Sequence, residues 1–109
     1  MDTLTLNIGL NIGRTSSTID YKKVLQSIKN MGAKVFTHSI KEGEYDGIKE
    51  STLVVEAANL TKSQVAILSQ KFLQECIAVY NEKNNSGELV YAPNFKGEKI
   101  EFDINYFNF

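Results

Sequence analysis

The chain has no tryptophan, one cysteine, one proline and one histidine in 109 residues. A lone cysteine cannot close an intramolecular disulfide, and a lone histidine cannot supply a histidine-rich metal site. With so little proline, 42% hydrophobic and 23% charged residues, the composition is that of a folding chain rather than a disordered one. No apolar run approaches the roughly 20 residues that a spanning helix needs. The start, Met1-Asp2-Thr3-Leu4, is acidic and enters an alternating pattern at once, unlike a signal peptide. An excess of positive charge is missing too: 12 basic against 13 acidic residues leave a formal charge of −1. That balance excludes a protein held to long nucleic acid by bulk charge. These absences predict a cytoplasmic protein without a membrane partner, and no residue set calls for a cofactor, a metal or a catalytic group.

Periodicity supplies the fold. Leu4, Leu6, Ile8, Leu10 and Ile12 alternate with polar residues, the period of a strand with one buried face. Ser17 and Asp20 have the spacing of a capping box, and Tyr21, Val24, Leu25, Ile28 and Met31 then fall on one helical face that Gly32 ends. A second strand is expected from Ala33 to Ile40, a turn over residues 43–47, and a third strand from Ile48 to Ala57. Thr61 and Gln64 form a full capping-box pair before a helix that carries Val65, Leu68, Phe72 and Leu73 inward and ends near Gln74. Cys76 to Tyr80 suits a fourth strand, residues 84–87 a hairpin, and Glu88 to Ala92 and Glu98 to Asp103 two further strands. The expected fold is one α+β domain over residues 1–109, with its core in 3–82 and a C-terminal hairpin and aromatic tail in 83–109. Its order, βαββαβ plus a C-terminal β extension, is ferredoxin-like: an antiparallel sheet with two helices on one face.

Two helices leave one sheet face uncovered, and the last nineteen residues hold Tyr91, Phe95, Phe102, Tyr106, Phe107 and Phe109. Such a tail docks on its own sheet, on a second copy, or on a ligand. A core this small and an open face together predict a homo-oligomer. The segment Gly13-Arg14-Thr15-Ser16-Ser17-Thr18 lies between a strand and a helix, where backbone N–H groups favour an anion, and it holds the chain's single arginine. Arg14, Thr15, Ser16 and Ser17 are therefore candidate phosphate contacts, and Asn7, Asn11, Tyr45 and Phe95 candidate contacts to sugar or base. The plain alternative is a polar loop whose Ser17 caps the helix. His38 has no nucleophile or carboxylate at a spacing that suggests a catalytic partner, and Cys76 in an apolar strand reads as an inert thiol.

The opening Leu6-Asn7-Ile8-Gly9-Leu10-Asn11, the run Tyr45-Asp46-Gly47-Ile48-Lys49-Glu50-Ser51 into Leu53-Val54-Val55-Glu56, and the exit Phe72-Leu73-Gln74-Glu75-Cys76-Ile77-Ala78-Val79 resemble a group of small phage and bacterial α+β proteins. The resemblance spans residues 4–80, implies a phage origin, and brings no catalytic residues. By analogy with phage proteins that trap nucleotide immune signals, the expectation is a non-enzymatic, oligomeric sponge for a small phosphorylated nucleotide. One alternative is a protein inhibitor of a host enzyme that uses the acidic turn and the aromatic tail. A third is a nucleotide-degrading enzyme with His38 as base.

Overall fold

A computed structural model of the chain describes residues 2–12, 15, 17–45 and 47–106. In chain order the elements are β1 (Leu4–Gly9), α1 (Tyr21–Asn30), β2 (Lys34–Tyr45), β3 (Ile48–Ala58), α2 (Lys62–Lys71), β4 (Cys76–Asn81) and β5 (Ser86–Tyr91), then a short 3-10 turn at Ile104–Tyr106. The strands form one antiparallel sheet in the order β2-β3-β1-β4-β5. The fold is α+β, with two helices and five strands.

Alternation decides the core. Leu6 and Ile8 of β1, Leu53 and Val55 of β3, and Ile77 of β4 are fully buried beneath Val24 and Ile28 of α1 and Val65 and Leu68 of α2. The register makes the sheet residues one face: Leu6 lies opposite Val55 and Val79, and Ile8 opposite Leu53. Both helices therefore bury the same side of the sheet.

β1 stops at Gly9 instead of running to Ile12, which is exposed. The chain folds back there: Ile19 N–H donates to the Leu10 carbonyl at 2.7 Å and Ile12 N–H to that of Ser17 at 2.8 Å. Because Ser17 belongs to this narrow loop, it does not cap α1. Asp20 does, its carboxylate accepting the Lys22 N–H at 3.0 Å. In α2 the capping box forms as expected, with Thr61 accepting from Gln64 N–H and the Gln64 side chain from Thr61 N–H. The helix stops at Lys71, short of Gln74, and Leu73 is not inward: it turns out of the helix at φ +58° and is 78% exposed. Replacing Thr61 by Ala removes one half of that exchange. We expect a cost of about 1 kcal/mol and a melting temperature about 5 °C lower in a thermal melt; an unchanged melt would show the cap to be idle.

β2 is longer than the sequence suggests. It continues to Tyr45, which pairs with Ile48 across Asp46 and Gly47. An Asp-Gly pair is a strong two-residue hairpin signal, and Gly47 adopts φ +75°, which a side chain would resist. The turn is therefore two residues, not the five-residue span 43–47. A β-bulge between Val35 and Thr37 makes Phe36 the extra residue.

The strand expected over Glu98–Asp103 is not formed. That segment is held by side chains instead. Ile100 N–H donates to the Tyr91 hydroxyl at 2.8 Å, and the Phe102 ring stacks on Tyr80 with centroids 6.2 Å apart and planes 4° from parallel. The Phe102 ring also lies directly on Gly87, where any Cβ would collide with it. Tyr80 and Gly87 face each other on the side of the sheet away from the helices. That side is consequently half-closed: Asn7, Val54, Ala78 and Leu89 are all buried. Asn7 thus keeps the phase its strand gives it, on the face away from the helices, but is buried there at 8% exposure.

Candidate binding face

The face opposite the helices is floored by alternate residues of every strand. Register places Thr37, Ser39 and Lys41 of β2 beside Glu56, Val54 and Thr52 of β3, with Thr5 and Asn7 of β1 next, then Tyr80 and Ala78 of β4. Ile104 closes one side of this floor, leaving a groove of about 410 Å³. Its polar lining converges from three strands: Thr5, Thr37, Ser39, Lys41 and Glu56, with Glu82 just beyond β4. The volume falls in the range of small-molecule sites. A cation, two carboxylates and hydroxyls around a Tyr80 wall can bind a polar molecule with one aromatic part. A larger hollow of about 500 Å³ lies on the helix side, lined by Leu4, Val65, Val79 and Val90 and edged by an exposed Lys62–Glu88 ion pair of 2.6 Å. Its lining mixes those apolar side chains with Asn81 and Ser86, and its one cation and one carboxylate are already paired with each other.

The residues singled out from the sequence fall into different places. Arg14 and Ser16, with Gly13, lie outside the described residues, as does the side chain of Tyr45. Thr15 uses its hydroxyl within the loop, donating to the Ile12 carbonyl at 2.7 Å and accepting the Ser17 N–H at 3.2 Å. Asn11 is a clip. Its amide donates to the carbonyls of Thr15 and Lys49 at 2.7 and 2.8 Å, while its oxygen accepts the Ser51 N–H at 2.8 Å. With both ends engaged, it fastens the loop to β3 rather than facing a ligand. Asn7 sits mid-sheet on the floor beside the groove, between Val54 and Ala78. Phe95 packs on the Tyr91 ring at 4.7 Å, past the end of β5. Asn11, Thr15 and Ser17 thus share one loop, with Asn7 along β1 and Phe95 apart from them.

Thr37, Ser39 and Lys41 are not singled out by the sequence, because Phe36, His38 and Ile40 in the other phase of the same strand give the more apolar pattern. Their period of two was the available signal. His38 stands on the helix side of β2, its ring 5.7 Å from that of Tyr21, and so across the sheet from the groove. Cys76 is half-buried, and burial, followed by the charge of Glu75, pushes its thiol above its ordinary pKa. Among the described residues, no three histidine, cysteine or acidic side chains converge as a metal would require, and no helix is long and apolar enough to cross a membrane. No family model, curated protein or solved structure matches the chain.

Proposed function

We propose that this chain is a non-enzymatic binding protein, phage-encoded, that sequesters a small phosphorylated nucleotide signal of host defence. The polar groove under Ile104 carries the reading. Lys41 there suits a phosphate, Glu56 or Glu82 a ribose hydroxyl, and Tyr80 a base. The β1 floor runs from Thr5 at the groove through Asn7 to the loop that starts at Leu10, about 16 Å at strand rise. That span suits a ligand with two separated polar ends, the second at the Arg14 loop. The carboxylate of Asp20 already occupies the entrance of α1, so Arg14 rather than the helix end is the anion contact in this reading. The order β4-β1-β3-β2 among the first four strands supports a ferredoxin-like core to which β5 is added.

Thermal shift against cyclic and ADP-ribose-type nucleotides tests the reading. A tight ligand raises the melting temperature by several degrees at saturating concentration. Arg14→Ala and Lys41→Ala are each expected to abolish that shift while leaving the unliganded melt unchanged. Ligand recovered intact after heat release distinguishes capture from cleavage. No shift with any nucleotide would end the proposal. The protein-inhibitor reading draws support from one observation: β2 and β3 pair with each other well past the end of β1, forming an arm on which Glu42, Glu44 and Glu50 are exposed. A host protein retained by the wild type but not by an arm with those three glutamates changed to lysine would favour it.

A further inference from the structure

β2 is an edge of the sheet, and among the described residues no strand lies on its outer side. Edges of this length are normally blunted or covered, because unpaired N–H and C=O groups invite another strand. Which groups point outward follows from β3. The Ser51 carbonyl accepts the Leu10 N–H, and the Ser51 N–H donates to Asn11, so both Ser51 groups face away from β2. The Lys49 carbonyl also goes to Asn11. Ser51 is opposite Glu42 and Lys49 opposite Glu44, so these are pairs without mutual backbone bonds. By alternation, Glu44, Glu42, Ile40 and His38 present their N–H and C=O groups outward. Ile40 is 41% exposed despite lying on the helix side of the sheet.

We propose that β2 is the interface of a homodimer, in which two copies pair antiparallel along this edge with Ile40 of each on the two-fold axis. This stands on the β2 edge, not on the ligand reading; Ser39 and Lys41 serve both, since they also line the groove. A symmetric antiparallel pairing must join outward residues to outward residues, which leaves few registers. Centring on Glu42 sets carboxylate against carboxylate, and centring on Lys41 sets ammonium against ammonium. Centring on His38 or Ser39 drives the ladder into the Phe36 bulge. Centring on Ile40 places the two isoleucines together, His38 of each copy opposite Glu42 of the other, and Ser39 opposite Lys41 on the groove side. Imidazole N–H to carboxylate and hydroxyl to ammonium are complementary pairs. The two sheets then become one continuous sheet, with Tyr21 of each α1 beside its own His38 near the axis.

Sedimentation and cysteine trapping test both the dimer and its register. The wild type should sediment as a dimer at micromolar concentration. Glu42→Lys and His38→Glu should each weaken it about tenfold, and the double change His38→Glu with Glu42→Lys should restore it. In a Cys76→Ser background, Ile40→Cys should form a symmetric disulfide under mild oxidation, since Cα atoms of a bonded antiparallel pair lie about 5.5 Å apart. Glu44→Cys in the same background should not. A monomer at every concentration, a dimer indifferent to the charge changes, or equal cross-linking at both cysteines would overturn the proposal. Circular dichroism of each variant separates misfolding from dissociation, and a misfolded single variant leaves the cross-linking pair to decide.

Discussion

Asn11→Ala should lower the melting temperature by about 10 °C, corresponding to about 2 kcal/mol for a domain of this size. The side chain bonds three backbone groups in two segments, the loop at Thr15 and the β3 positions Lys49 and Ser51. Alanine leaves two carbonyls and one amide to find water at the root of the β2–β3 arm. Asn11→Asp should be worse than Ala, though nearly isosteric. It keeps the acceptor for Ser51 but turns a carboxylate oxygen toward two carbonyls that need a donor. Calorimetry of the unliganded protein decides this. If both variants melt with the wild type, the clip is idle, and Asn11 returns as a candidate ligand contact.

Gly87→Val should release the C-terminal segment while the sheet and helices remain. The Phe102 ring occupies the space a side chain at position 87 would take. Gly87 lies in β5 opposite Tyr80, so the new side chain projects into the stacked ring and Phe102 must swing away. Losing that contact costs about 2 kcal/mol. The sharper readout is proteolysis: chymotrypsin should cut at Phe102 many times faster in Gly87→Val, with far-ultraviolet dichroism preserved. Phe102→Ala should reach the same loosened state, and the double variant should melt no lower than the worse single. Additive losses would mean that the two residues act separately.

What could be read from the sequence was whatever depended on local pattern. Leu6 and Ile8 alternate and are buried, Thr61 and Gln64 cap as their spacing requires, and Cys76 to Tyr80 is a strand despite following a helix. The errors arose where a distant partner overrides local preference. The alternation of β1 does extend to Ile12, but the loop closed by Leu10 and Ile19 ends the strand at Gly9. The Glu98–Asp103 stretch has the composition of a strand, yet Tyr91 takes its Ile100 amide and Gly87 receives its aromatic ring. The groove was hidden for a related reason. Its hydroxyls and charges come from several strands, and only the register sets Thr5, Thr37 and Glu56 side by side.

The position of β1 has a kinetic consequence. It is the middle strand, with Thr5 paired to Glu56 on one side and Tyr80 on the other. The β2–β3 and β4–β5 hairpins can each form from neighbouring residues, whereas β1 bonds only to segments far along the chain. Closing such distant contacts is slow. As the chain is synthesised, β1 must wait for β3 and then β4, and its Leu6 and Ile8 stay without their full surroundings until β4 has emerged. Refolding should accordingly be limited by insertion of β1 between two preformed hairpins, and until then the nascent chain exposes its most apolar alternating segment.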